Sequence, residues 1–158
     1  MESSTFDEVE FFRALHRSGS RALLIGRRAL VLLGLPVLTA DYDFWLAADD
    51  IAVFNAVGER FDLRPTRTPD EARRRGRYVL ENDEHIDVLV ARAVPSMDGQ
   101  LLEFEALWSR RQAFPLADVE VYLPAIDDLI LTKQVATRPK DLEDLRLLRI
   151  LKENSGDC

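Results

Sequence analysis

Three aspartates carry the strongest chemical signal in this 158-residue sequence. Asp41, Asp43 and Trp45 alternate with Tyr42, Phe44 and Leu46, a period of two that predicts a strand with both carboxylates on one face. Side chains at i and i+2 of a strand stand roughly 6.6 Å apart along the backbone, so the two acids can converge on one divalent ion or bracket two. Asp87 sits in a second strand-like run, residues 85–91, where His85, Asp87 and Leu89 share a face and His85 could tune the acid beside it. If the two strands are neighbours, three carboxylates and the oxygens of a phosphate form the hard, octahedral surroundings that Mg²⁺ (or Mn²⁺) accepts. Such a site polarises a phosphate and steadies the entering and leaving oxygens.

The acids need a scaffold, and the sequence outlines one. Residues 22–25 form a short apolar run that predicts a strand, Gly26 a tight turn, and residues 27–33 a helix interrupted by Gly34 and Pro36. A helix N-terminus offers free N–H groups to a phosphate, and a glycine there permits close approach. Phe6, Val9, Phe12 and Leu15 recur every three residues and predict an N-terminal amphipathic helix ended by Gly19. Asp49 and Asp50 are placed to cap a helix running to about Arg60, with Ile51, Val53, Phe54 and Val57 facing inward. Residues 64–77 hold six arginines and two prolines and read as a mobile basic connection. Residues 78–81 and 85–91 flank Asn82-Asp83-Glu84 as a β-hairpin. A helix over 101–111, a strand over 119–123, a helix over 126–136 after Pro124, and a last helix opened by Pro139 with Leu142, Leu145 and Leu148 inward complete the expectation.

The bulk numbers agree with one compact α/β (α+β) domain over residues 1–158: an N-terminal helix to residue 20, a small mixed sheet with helices packed on it over 21–123, and a C-terminal helical pair over 124–153. A net charge of -7 excludes coating nucleic acid by charge alone, yet leaves small anions that arrive with a cation. Cys158 is the single cysteine, which excludes an intrachain disulfide and any thiolate-built zinc or iron–sulfur centre. No signal-like N-terminus and no membrane-length apolar run are present, so a soluble, cytoplasmic protein is expected.

Four blocks of the sequence resemble the polymerase-β-like nucleotidyltransferases, especially the minimal, AbiEii-like type. Ile25-Gly26-Arg27-Arg28 through Gly34-Leu35-Pro36, followed by Thr39-Ala40-Asp41-Tyr42-Asp43, looks like the family's glycine turn, helix and Asp-x-Asp strand. His85-Ile86-Asp87-Val88-Leu89 is similar to the strand bearing its third carboxylate. The segments from Leu123 to Lys133 and from Arg138 to Leu145 look like its C-terminal helical pair, so the likeness spans roughly residues 22–148.

The resemblance implies transfer of a nucleoside monophosphate from a nucleoside triphosphate to an acceptor, whether a protein, an RNA end or a small molecule. It makes Asp41 and Asp43 metal ligands, Asp87 a further ligand or the general base, and Lys133 and Lys140 nucleotide-binding residues beside the Gly26 turn, while Arg27 after that turn either clamps a phosphate through its fork or blocks the pocket. An antitoxin partner or a homodimer is left open. At two positions the chain departs from the pattern, with Arg27 for a small residue and Val37 for an arginine. A second reading follows from them, a catalytically degenerate relative that binds nucleotide or protein.

Overall fold

The computed structural model describes residues 6–96, 99–133 and 139–155. Helix α1 (Glu8–Ser18) starts at Asp7, whose side chain accepts from the Glu10 N–H, and stops at Gly19 in the left-handed conformation. Then come β1 (Ala22–Ile25), α2 (Gly26–Leu32), β2 (Tyr42–Leu46), a 3₁₀ turn at Ala48–Asp50, α3 (Ile51–Glu59), β3 (Arg64–Pro65), α4 (Pro69–Arg75), β4 (Arg77–Glu81) and β5 (His85–Leu89). The remainder is β6 (Ala93–Pro95), β7 (Leu101–Glu103), α5 (Phe104–Ser109), β8 (Gln112–Leu116), β9 (Val119–Leu123), α6 (Ile126–Lys133) and α7 (Pro139–Ser155).

The main sheet runs β1-β2-β5-β4-β3, with β2 and β5 parallel and every other neighbour antiparallel, so the mixed α+β class expected from the sequence is the one found. Alternation along the strands divides its side chains cleanly between two faces. Leu24, Tyr42, Phe44, Ile86, Val88, Tyr78 and Leu80 enter the larger core with Phe11 and Phe12 of α1 and Ile51 and Phe54 of α3. Leu23 and Trp45 point to the opposite face and pack with Leu102, Phe104 and Leu107. That second cluster covers only part of its face, and the uncovered part is where polar residues stand.

Several expectations need correction. Residues 64–77 are not a loose connection: Thr68 and Glu71 form a reciprocal capping box, Pro69 opens α4, and Gly76 closes it at φ 80°. Removing the cap by Thr68→Ala is expected to cost about 1 kcal/mol in urea unfolding; an unchanged midpoint would show that α4 does not depend on its box. Asp50 does not cap α3, because its carboxylate instead accepts the Arg21 N–H at 2.9 Å, and Val53 is exposed. The helix expected over 101–111 is split into β7 and α5, and β6 and β8, each the partner of another short strand, were not foreseen. The stripe buried by α7 includes Asp141, Asp144, Leu145 and Leu148, whereas Leu142 is exposed. Helix α6 ends at Lys133, and residues 134–136 of the expected helix lie outside the described residues. Among the described residues no helix is long and apolar enough to cross a membrane.

Candidate active site

Strand register brings the polar residues of the open face together. Ile25 pairs with Asp43, Asp43 with Asp87, and Asp87 with Val79, one row across four strands. The next row is Leu23, Trp45, Leu89 and Arg77. Neighbouring strands lie about 4.8 Å apart, so the half-buried carboxylates of Asp43 and Asp87 stand side by side on one face. They open on a cleft of about 460 Å³, lined also by Ile25, Gly26, Trp45, Arg77, Leu89, Val94, Thr132, Lys133 and Asp141. A space of this size suits a small organic ligand. Trp45 forms its apolar floor, fixed by an Nε1 hydrogen bond of 2.8 Å to the Ala91 carbonyl.

Gly26 joins β1 to α2 at φ 70°, and a Cβ built there would meet the Asp43 Oδ2 at 2.4 Å. Only glycine leaves room for that carboxylate against the backbone. Gly26→Ala is therefore expected to lose about 1–2 kcal/mol of stability and to displace the Asp43 side chain. A variant that unfolds at the parent's urea midpoint and crystallises with Asp43 unmoved would refute the steric argument.

The other expected residues are distributed unevenly. Asp41 is exposed one residue before β2, donates its N–H to Thr39 Oγ1 at 3.1 Å, and is not among the described residues that line the cleft. No three His, Cys, Asp or Glu side chains are grouped to hold a metal ion among the described residues. His85 shares the row face as foreseen, with Nε2 3.2 Å from Asp87 Oδ2 and Nδ1 3.9 Å from Glu81. Lys133 lines the cleft but is buried, with Nζ 2.7 Å from Asp144 and 3.4 Å from Asp141. Arg27 turns from the cleft, its Nε donating to Asp144 Oδ2 at 3.1 Å and its Nη1 to the Leu38 carbonyl at 3.2 Å. The Lys140 side chain lies outside what the structure describes.

No protein-family model and no curated protein matches the sequence. Solved structures do. The antibiotic-resistance factor ANT(2'')-Ia in solution is similar at a TM-score of 0.63 with 16% identity, over 90% of this chain and 80% of that one. A Thermotoga maritima protein assigned as a nucleotidyltransferase, TM1012, is similar at 0.61 with 14% identity, over 92% and 90%. ANT(2'')-Ia in complex with adenylyl-2''-tobramycin follows at 0.57 with 15% identity, over 90% and 86%. The chain has the nucleotidyltransferase fold.

Within that fold two groups of cleft residues escaped sequence reasoning. Arg77, on the same face as the acids, is one of six arginines in the run that the sequence reads as a mobile basic connection, and composition does not single it out. Asp141, which lines the cleft, and Asp144, which pairs with Lys133, lie among the leucines that carry the expected inner stripe. Their signal was the spacing of Asp141, Asp144, Leu145 and Leu148 at i, i+3, i+4 and i+7, which puts all four on one helical face. On the sheet's far face, burial pushes the Tyr42 and Tyr78 hydroxyls up, so both remain protonated and donate, to Glu8 and Asn55 respectively.

Proposed function

We propose that this protein transfers a nucleoside monophosphate from a nucleoside triphosphate to an acceptor hydroxyl, with a divalent cation held by Asp43 and Asp87. The observation that carries the reading is the in-register pair of carboxylates facing the cleft, with Gly26 cut away to make room for one of them.

The donor set suits Mg²⁺ or Mn²⁺. Two hard carboxylates in register on adjacent strands match an oxygen-seeking cation that completes its shell from phosphate and water. Asp43 and Asp87 would hold it, with Asp41 at the rim as a further ligand when nucleotide is bound. When bound, the cation supplies charge neutralisation at the phosphates and polarisation of the α-phosphate. His85 restrains the Asp87 carboxylate from the solvent side. Trp45 and Leu89 provide the apolar wall against which a base or sugar packs. In the reaction the acceptor oxygen bonds to the α-phosphorus as the bond from phosphorus to pyrophosphate breaks, and the hydroxyl proton passes to solvent.

ANT(2'')-Ia is seen with an adenylylated small molecule, which supports a hydroxyl as the acceptor group here. The finer likeness, to the minimal AbiEii-like type with a partner antitoxin, rests on the sequence blocks alone. To test the reading, the full chain is incubated with each common α-labelled triphosphate, Mg²⁺ or Mn²⁺, and a cell extract as acceptor source. Label should move from one triphosphate to an acceptor with release of pyrophosphate. If no triphosphate is consumed and none binds by calorimetry, the proposal fails.

A further inference from the structure

The cleft's uncommitted positive charge lies on the side away from Gly26. Lys133 is held by Asp141 and Asp144, and Arg27 by Asp144 outside the lining. Arg77 is different: it is exposed, lines the cleft, and makes no ion pair among the described residues. Its backbone is well fixed. Arg67 donates to its carbonyl at 2.6 Å, and the preceding Gly76 carbonyl accepts from the N–H groups of Val90 and Ala91. Arg75, also exposed and free of ion pairs among the described residues, closes α4 just upstream.

Position then assigns a role. Across the sheet the order is Gly26 at the end of β1, Asp43 on β2, Asp87 on β5 and Arg77 on β4. In an in-line displacement the leaving pyrophosphate and the entering oxygen lie on opposite sides of the α-phosphorus. On the nucleotidyl-transfer reading the triphosphate takes the flank of Gly26 and Asp43, and the acceptor takes the Asp87 flank, where Arg77 stands. A divalent cation bound there would offset the two carboxylates, and Arg77 is an exposed cation lining the Asp87 flank. The chain's net charge of -7 makes this positive spot local, not a property of the whole surface.

We propose that Arg77 selects an acceptor bearing a phosphate ester near its reacting hydroxyl, an inference that rests on the nucleotidyl-transfer reading and names its acceptor class. The planar fork of arginine matches phosphate oxygens two at a time, and it repels a polyamine. The phosphate could belong to an oligonucleotide end or to a phosphorylated sugar, and the two are separated by experiment.

With Mg²⁺ and a non-hydrolysable ATP analogue present, the full chain is titrated with a fluorescein-labelled oligoribonucleotide carrying a free 3′ hydroxyl, with ribose 5-phosphate, with ribose and with tobramycin. One of the two phosphorylated probes should bind, identifying the source, while ribose and tobramycin should not. Arg77→Ala should weaken that probe about tenfold, Arg77→Glu more, and Arg77→Lys less. If the probe is the oligonucleotide, Arg77→Ala should also reduce the slope of log affinity against log salt by about 1. Affinity for the ATP analogue should stay within about twofold in all three variants. The assignment is overturned if the analogue weakens in step with the probe, if wild type prefers tobramycin, or if neither phosphorylated probe binds. Failure of the underlying reading looks different: the analogue would not bind wild type, or would bind equally to Asp43→Asn with Asp87→Asn.

Discussion

Replacing Asp43 and Asp87 together by asparagine is expected to slow nucleotidyl transfer by about a thousandfold or more, the scale seen when charge stabilisation is removed from phosphoryl-transfer transition states. Asparagine keeps the shape and loses the charge that holds a cation. Fold stability should move the other way, because like charges directly opposite on neighbouring strands repel and their removal relieves that cost. Initial rates of pyrophosphate release and urea midpoints, measured on the same preparations, separate the two effects. Asp41→Asn should be the milder single change, within about tenfold of wild type, since that side chain is exposed outside the cleft lining. Transfer that persists in the double variant would remove the carboxylate pair from the chemistry. A loss of both rate and stability would make the pair structural.

The pair was only half legible in the sequence. A period of two over residues 42–46 revealed a strand and the face of Asp43, and the hairpin around Asn82-Asp83-Glu84 revealed the strand bearing Asp87. What no local pattern encodes is the register between β2 and β5, parallel strands some 40 residues apart, where a slip of one residue would turn Asp87 to the opposite face. The same limit concealed Arg77, whose place opposite Leu89 follows from pairing and not from its neighbours in sequence. Helix α4 is another matter. Thr68, Pro69, Glu71 and Gly76 were all visible as cap, first-turn residue, box partner and terminator, but the arginine count outweighed them. Composition describes how a segment meets solvent, whereas capping residues decide whether its backbone is satisfied.

Lys133→Met is expected to destabilise the fold by about 3–5 kcal/mol, the usual cost of removing one partner from a buried ion pair. Asp144 is fully buried and Asp141 nearly so, and they draw on Lys133 and Arg27 for their compensating charge. Methionine fills the volume of lysine but removes the ammonium that Asp141 and Asp144 share, and the Arg27 that still pairs with Asp144 is 23% accessible at its side chain. Adding Asp144→Asn to that variant should recover part of the loss, because it removes a fully buried charge that has lost one of its two cationic partners. Urea unfolding of the two singles and the double closes the cycle. The result also decides what Lys133 is for. A lysine whose charge is consumed by α7 should, when replaced, lower stability and leave the ATP-analogue affinity of the folded molecule within about twofold. A lysine held in reserve for phosphate should do the reverse, costing little stability and much affinity. Because Nζ sits 2.7 Å from a carboxylate with no exposed surface, the structural outcome is the expected one: phosphate binding would first have to break that pair inside the protein.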